Sequence, residues 1–430
     1  MKARLIVETC RALRAARRHL ALVVTVFLMT AGCSATTGAA PSPSAQACAW
    51  PVQATVATDN AAAPDAAASY WLQPFTVQSG LRITVSGRYP DARYASLQVY
   101  TGTAAPFPVD GVAASLDDYQ IAPDAGSVNP WQSSARPGGR FTVTLRSDVS
   151  ANEVNTLPLS PDGAAAGSGG YLQYRVYLPA GGDFSKVVPP TITLHQGGSA
   201  VAMAPCRSHG SSPAPSASAG TAAQPTPATN AVPPPLRFFK LANDQTFFRN
   251  VDSTYILTYV TPPAAGDVVM IAGRAPRAST GDHPSRWPAP DRDMRYWSMC
   301  TYLGGTLPLV VNRLGGGAVD TGCRSDEATR LDSSGNYLYV IGTEAQRGAI
   351  EGIPGATFLP FSSAQPTARH LVLLRNMLVS PGFAYSSQAV TQSNDPAATA
   401  AVMGAYYPRA AVCSLSALAA RGAAGCSSVS

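Results

Sequence analysis

Short strand-like segments, most of them alternating between hydrophobic and polar residues, recur along the chain. They lie at residues 81–86, 94–100, 141–145, 171–177 and 191–194, and later at 336–341, 356–361 and 370–377. Successive side chains of a strand point to opposite faces, so this pattern predicts half-buried strands, and the Gly, Pro and Asp clusters between them indicate turns. The sequence therefore predicts an all-β fold of jelly-roll or β-sandwich type. Residues 394–407 predict one short helix, because Pro396 suits its first turn.

Composition divides the chain into two domains. Hydrophobic residues make up 46% of the chain and charged residues only 13%, with 37 Gly and 37 Pro among 430 residues, which favours strands and turns over helices. Residues 208–235 are almost wholly Ser, Pro, Ala, Thr and Gly, a composition that cannot bury a core. We therefore expect a disordered linker there, between a first sandwich at 48–207 and a second at 236–430 with a C-terminal tail.

Part of the first domain is repeated in the second. Gly87-Arg88 precedes the segment Arg-Tyr-Ala-Ser at 93–96, and Gly273-Arg274 precedes Arg-Tyr-Trp-Ser at 295–298. The repeat predicts an internal duplication; chance similarity between two sandwiches is the alternative.

The second domain resembles a known bacterial family. Arg-Tyr-Trp-Ser-x-x-x-Tyr at 295–302 is followed by Leu-Asp-Ser-Ser-Gly-Asn-Tyr-Leu-Tyr-Val at 331–340, Thr-Phe-Leu-Pro-Phe at 357–361 and Leu-Val-Leu-Leu-Arg-Asn-Met at 371–377. This order is similar to that of the bacterial jelly-roll domain of unknown function catalogued as number 1214, and the first domain is a weaker echo of it. The resemblance implies a jelly-roll fold and no particular reaction.

The N-terminus has the three parts of an export signal. A basic region is followed by an apolar run at 20–29 and then by Thr-Ala-Gly-Cys at 30–33. About ten apolar residues are too few to span a bilayer. The small residues before Cys33 resemble the lipobox of bacterial lipoproteins. The resemblance implies that residues 1–32 are removed, that Cys33 carries lipid and that residues 33–47 form a flexible tether. Because Ser34 follows Cys33, it also implies the outer membrane as the location if the host has one. An ordinary cleaved signal with an incidental Cys33 is the alternative.

Net charge argues against a nucleic-acid partner. The formal charge is +6, but residues 1–32 hold six basic residues and one glutamate, so the remainder is near neutral at +1. Beyond the signal only Lys186 and Lys240 are lysines. A chain without a basic stripe is not expected to neutralise phosphates.

The cysteines beyond Cys33 suit an oxidising compartment. Six remain, and by position we expect three disulfides. The expected pairs are Cys48–Cys206, Cys300–Cys323 and Cys413–Cys426. A zinc site is the alternative, but no Cys-x2-Cys or Cys/His cluster supplies its ligands, so neither metal nor cofactor is predicted.

Four arginines occupy equivalent places in the two repeats. Arg88 and Arg93 in the first correspond to Arg274 and Arg295 in the second. A guanidinium on a strand can bind an anionic ligand through two parallel hydrogen bonds, or it can form an internal ion pair. The internal ion pair is the favoured interpretation.

No catalytic residue is predicted. His195, His209, His283 and His370 lie in no recognisable catalytic frame, and the acidic pairs at 117–118 and 291–293 lie in turn-like stretches that favour solvated acids. We expect a lipid-anchored envelope protein without enzymatic activity that binds a glycan or another envelope component. The alternatives are a carbohydrate or ester hydrolase dependent on His370 or Asp293, with its site at the interdomain cleft or a sandwich mouth, and a purely structural subunit.

Overall fold

The computed structural model describes residues 48–133, 138–150, 153–210, 235–241 and 248–426, here divided into a first half (48–210) and a second half (235–426). The strands of the first half are β1 Val52–Ala54, β2 Ala68–Thr76, β3 Arg82–Arg88, β4 Ala92–Thr101, β5 Pro108–Val109, β6 Val112–Ala113, β7 Ser115–Asp117, β8 Arg140–Arg146, β9 Thr156–Pro158, β10 Gly169–Pro179, β11 Thr191–Gln196 and β12 Ser199–Ala202. Those of the second half are β13 Ser253–Val260, β14 Asp267–Arg274, β15 Met294–Leu303, β16 Val311–Arg313, β17 Val319–Thr321, β18 Cys323–Ser325, β19 Asn336–Gly342, β20 Ala356–Pro360, β21 His370–Val379 and β22 Arg409–Ser414. The α-helices are α1 Arg347–Glu351, α2 Pro396–Met403 and α3 Leu415–Arg421.

Each half is a sandwich of two sheets, and the two sandwiches share one topology. The first half has sheets in the order β1-β2-β10-β4-β7 and β12-β11-β3-β8-β9, and the second half has β13-β21-β15-β18 and β20-β19-β14-β22. Within the larger sheets the neighbouring strands are antiparallel, except for the parallel pairs β8–β9 and β19–β20, which occupy equivalent places. The predicted all-β fold is confirmed, and the shared order and registers support its duplication.

How far a strand is buried depends on whether the opposite half of the molecule covers it. The strand β8 alternates between buried and partly exposed residues, as expected for a strand with one face on the core. In contrast, β4 and β15 are each buried at nine of ten positions. One face of each strand lies on its own core, and the other face lies against the opposite half of the molecule. A small apolar cluster of Ala68, Tyr94, Tyr177, Tyr296 and Met377 fills the space between the halves.

The two halves exchange equivalent segments. The segment before β2 reaches into the second half, where Ala62 N–H donates to the Thr306 carbonyl at 2.8 Å. The segment before β13 reaches into the first half, where Phe248 N–H donates to the Ala104 carbonyl at 2.9 Å. The described residues consequently belong to one compact unit. The contact resembles a two-fold interface between subunits, in which the same surface is used by both partners.

All three predicted cysteine pairs are confirmed as disulfides. Cys48–Cys206 joins residues 158 positions apart at the two ends of the first half. Cys300–Cys323 joins β15 to β18, and Cys413–Cys426 ties β22 to the segment after α3. The first bond therefore closes almost the whole first sandwich into one loop.

The predicted helix at 394–407 is confirmed as α2 and a following 3-10 turn, Gly404–Tyr406. Asp395 caps it by accepting from Ala398 N–H at 2.9 Å, and Pro396 occupies the first turn. The short helices α1 and α3 were not predicted; each buries a single aliphatic side chain, Ile350 or Leu418, which is too weak a pattern to recognise.

Several predictions fall on residues that the structure does not describe. The export signal, Cys33 and the tether lie outside the described residues, as do residues 211–234 of the predicted linker. The beginning of that linker is described, and there Gly210 N–H donates to the Pro51 carbonyl at 2.7 Å. None of the helices in the described ranges has the length and hydrophobicity needed to cross a bilayer.

Candidate functional site

Two of the four candidate arginines bind carboxylates of the opposite half. Arg93 is fully buried and contacts Asp326 at 2.6 Å and Glu327 at 2.7 Å. The equivalent Arg295 is also fully buried and contacts Asp118 at 3.3 Å. Both guanidinium groups are therefore internal, as the favoured interpretation held, and neither is available to an anionic ligand.

The other two arginines are exposed and have different surroundings. Arg88 donates to the Gly138 carbonyl at 2.7 Å. Arg274 lies over the ring of Tyr406, with its guanidinium carbon 5.8 Å from the ring centre. Arg274 lines a small pocket, which is described below.

The prediction of solvated turn acids is wrong for Asp293, which is 6% exposed and pairs with Arg277, and for the buried pair Asp117 and Asp118. The two residues are 3% and 1% exposed, because β7 pairs with β4 at the surface covered by the second half. Asp118 accepts from Ala95 N–H at 2.8 Å and from Arg295. Burial raises the pKa of its carboxyl to about 6, although Arg295 and the Ala95 N–H lower it.

The two residues named for a hydrolase lie at opposite ends of one strand. His370 begins β21. The Asp293 carbonyl accepts from the N–H of Ser380, which directly follows the last residue of β21. At a rise of about 3.3 Å per residue, the length of β21 separates His370 from Asp293 by about 30 Å. The His370 ring is buried, accepts from Ser362 N–H at 3.0 Å and donates to the Ala368 carbonyl at 2.9 Å. Burial lowers its pKa, so it is a neutral structural group.

The remaining histidines are engaged at separate places. His195 contacts Thr84 at 2.9 Å, His209 contacts the Trp50 carbonyl at 2.8 Å, and His283 contacts Asp91 at 2.7 Å. The structure brings no two of the four histidines together in these contacts.

Two connections are far longer in the second half than in the first. The β14–β15 connection spans residues 275–293, whereas the equivalent β3–β4 connection is only 89–91. The β21–β22 connection spans 380–408 and contains α2, whereas the β10–β11 connection is 180–190. Long connections on a rigid scaffold are a common location for binding residues.

The two long connections meet and form an open groove of about 420 Å³. This volume is in the range of small-ligand sites. The groove is lined by Arg277, Pro288, Ala289, Pro290, Arg292 and Asp293 from one connection and by Ser380, Pro381, Gly382 and Phe383 from the other. Arg277 contacts Asp293 at 2.8 Å, yet its side chain is still 62% exposed. The groove thus presents accessible arginine donors beside apolar proline and phenylalanine surface.

Three aromatic rings, here called the aromatic shelf, adjoin the groove: Phe383, Tyr385 and Tyr406. The rings of Tyr385 and Tyr406 are stacked with their centres 5.7 Å apart, and Phe383 meets Tyr406 edge-on at 4.9 Å. Tyr385 is 52% exposed, and Arg274 lies over Tyr406. The shelf therefore offers the exposed ring of Tyr385 and a cation at the mouth of the second sandwich.

A small inner pocket of about 10 Å³ lies beneath the aromatic shelf, at the end of the sandwich core. Besides the shelf it is lined by Arg274, Pro276, Met294, Tyr337, Leu374, Asn376 and Met403. Phe383 lines both the groove and the pocket, so the two are adjacent.

One cluster contains residue types that often bind metal ions, but their ligand atoms are already engaged. The ligand atoms of Asp65, Cys300 and Cys323 lie within 4.8 Å of one another. The two cysteines are joined in a disulfide, and the Asp65 carboxylate contacts Arg375. This donor set therefore does not fit a cation.

Comparison with known proteins shows low similarity. No protein-family model matches the chain, and no curated protein does. An uncharacterised protein of Burkholderia cenocepacia is 12% identical, with a TM-score of 0.44, over 83% of this chain and 79% of its own. The VPA0106 protein of Vibrio parahaemolyticus is 11% identical, with a TM-score of 0.38, over 80% of this chain and 88% of its own. The function is therefore inferred from the groove and the pocket.

Sequence reasoning missed the groove although one signal for it was present. The repeats place Arg93 five positions after Arg88 but Arg295 twenty-one positions after Arg274. That difference marks an insertion in the second half. Comparing the connection lengths would have directed attention to Arg277 and Arg292.

Proposed function

We propose that this protein is a non-enzymatic cell-envelope lipoprotein, anchored through Cys33, that binds a glycan in the groove and on the aromatic shelf. The observation that carries the proposal is the pair of long connections, 275–293 and 380–408, which the first half lacks. The fold closes without them in the first half, so their residues are free to serve a ligand.

The chemistry of the site favours a sugar. A sugar ring has apolar faces that lie on aromatic rings and hydroxyl edges that hydrogen-bond to arginine. The exposed Tyr385, stacked on the partly buried Tyr406, offers the first kind of surface. The amphipathic tyrosine ring suits a site that is partly exposed to solvent. Arg277 and Arg292 line the groove, and their planar guanidinium groups offer hydrogen-bond donors to the sugar hydroxyls.

Binding is favoured over hydrolysis because of the carboxylates. Glycoside hydrolysis commonly uses two carboxyl groups across the scissile bond. Asp293 is the one carboxylate among the residues that line the groove, and it accepts from Arg277 N–H at 2.8 Å and contacts the Arg277 guanidinium. The Ser380 hydroxyl donates to the Arg292 carbonyl at 2.7 Å rather than to a base.

Export and anchoring are supported by the sequence before Cys48 and by the disulfides. Basic residues, a short apolar run and Thr-Ala-Gly-Cys precede the folded part. Three disulfides in the described residues suit an oxidising compartment outside the cytoplasm. A lipid on Cys33 would hold the groove near the envelope surface.

Calorimetric titration of the disulfide-intact protein with a panel of neutral, acidic and N-acetylated oligosaccharides tests the proposal. We expect one class to bind, and the double variant Tyr385→Ala/Tyr406→Ala to bind it about tenfold more weakly, since such aromatic contacts are each worth about 0.5–1.5 kcal/mol. Tyr259→Ala is the matched control. The guanidinium carbon of Arg369 lies 4.0 Å from the ring centre of Tyr259, but Tyr259 lines neither the groove nor the pocket. Unchanged affinity in the double variant, or no binding by any oligosaccharide, would contradict the proposal.

A further inference from the structure

The inner pocket contains a buried hydroxyl group without a partner. Tyr337 is 2% exposed, and its hydroxyl makes no hydrogen bond with the residues that the structure describes. A buried donor left unpaired costs free energy. Other buried polar atoms of the described residues also lack a partner, among them the Tyr174 hydroxyl, but those residues do not line the groove or the pocket. Tyr337 lines the inner pocket, so a group that enters the pocket has an unpaired donor beside it.

The first half shows that the fold does not need this hydroxyl. Tyr337 on β19 pairs with Gly273 on β14, and the equivalent register pair is Phe141 on β8 with Gly87 on β3. In both halves the ring lies over the glycine, where a Cβ would meet the tyrosine oxygen at 2.5 Å or the phenylalanine ring at 3.4 Å. Phenylalanine therefore fills the same place in the first half, and the oxygen is the feature specific to the second half.

The surroundings define the complementary group. Burial raises the pKa of Tyr337 well above neutral pH, so the hydroxyl is protonated and can donate. The incoming group must therefore carry a hydrogen-bond acceptor. Met294, Leu374 and Met403 surround the pocket with apolar atoms, so the rest of the group should be apolar and small.

The pocket lies next to the site proposed for the glycan. It is covered by the aromatic shelf, and its volume of about 10 Å³ holds roughly one water-sized group while the shelf is closed. Tyr385 is 52% exposed, and side chains at the surface change rotamer within nanoseconds. Outward rotation of this ring would unstack it from Tyr406 and enlarge the pocket, so the sugar would then lie beside the opened pocket and not on the stacked pair.

We infer that the inner pocket is the subsite for the acetamido group of an N-acetylated sugar. The carbonyl oxygen of that group accepts from the Tyr337 hydroxyl, and its methyl group packs among Met294, Leu374 and Met403. The inference rests on the proposed glycan-binding function and narrows its ligand to N-acetylated amino sugars.

The test compares two β-1,4-linked tetrasaccharides that differ at the C2 substituent: the N-acetylglucosamine tetramer and cellotetraose. Their affinities for the disulfide-intact protein are measured by calorimetry, together with the melting temperature of each variant. We expect the native protein to prefer the acetylated tetramer by at least tenfold and Tyr337→Phe to lose most of that preference. The melting temperature of Tyr337→Phe should be unchanged or higher, because the hydroxyl has no internal partner to lose.

Tyr339→Phe is the matched control. Tyr339 lies on the same strand and is buried, but its hydroxyl is hydrogen-bonded to Thr329. This variant should melt at a lower temperature and keep the preference for the acetylated tetramer.

Equal binding of both tetramers by the native protein, or an unchanged preference in Tyr337→Phe, would overturn the acetamido subsite and leave glycan binding standing. Absence of binding to both tetramers, with binding to another oligosaccharide of the panel, would overturn the subsite alone, and absence of binding to any of them would overturn both proposals.

Discussion

Replacing Asp65 with asparagine should lower the free energy of unfolding by about 3–5 kcal/mol, the usual cost of breaking a buried ion pair by removing one partner. Asp65 is fully buried in the second half, although it belongs to the first. It contacts Arg375 and accepts from Tyr296 at 2.9 Å and from Ser298 at 2.8 Å. Asparagine would leave the Arg375 charge buried without a counter-charge, so urea or thermal unfolding followed by circular dichroism should show the loss.

Two further variants make this result specific. Lys186→Gln removes an exposed ion pair with Asp183, 3.5 Å apart, and should change stability by less than about 1 kcal/mol. The double variant Asp65→Asn/Arg375→Gln removes both buried charges and should recover part of the loss. A loss below about 1 kcal/mol for Asp65→Asn would contradict the account of the contact between the halves.

Removing the Cys48–Cys206 disulfide should cost about 5 kcal/mol, and removing Cys413–Cys426 about 3 kcal/mol. The chain-entropy account assigns a larger effect to the bond that closes the longer loop in the unfolded chain, and these bonds join residues 158 and 13 positions apart. Each pair is replaced by two alanines, and unfolding is measured without reductant. Equal losses, or a larger loss for Cys413–Cys426, would contradict this ranking.

The fold was largely predictable because its signals are local. Alternation at residues 141–145 depends only on side chains pointing to opposite faces of a strand. The alternation at 171–177 located a strand correctly, but the prediction that it is half-buried is wrong, because residues 172–177 are buried on both faces. The cysteines were paired correctly because Cys48 and Cys206 flank the first sandwich and the other two pairs are close in sequence. The resemblance to the bacterial domain of unknown function and the lipid anchor at Cys33 stay predictions.

The contacts between the halves were not predictable because both partners are distant in sequence. Asp118 lies in a stretch that looks like a turn, and only the approach of Arg295 from the second half buries it. The same holds for Asp326 and Arg93. A single sequence contains no signal for which turn acid faces which strand arginine.

The candidate site was predictable only in part. Arg274 was singled out for its place in the repeat, and it does line the inner pocket. Arg277 and Phe383 are more than one hundred positions apart, and only folding brings their connections together. Tyr337 was noted as a strand residue, and its unpaired hydroxyl becomes visible only with the packing around it.

Amide hydrogen exchange with and without the N-acetylglucosamine tetramer tests the central claim most directly, because it maps where the intact protein holds a glycan. Binding in the groove and on the aromatic shelf predicts slower exchange in residues 275–293 and 380–408, with little change in the equivalent connections of the first half. Protection confined to the first half would contradict the account, and so would the absence of protection at saturating tetramer if calorimetry shows that the tetramer binds.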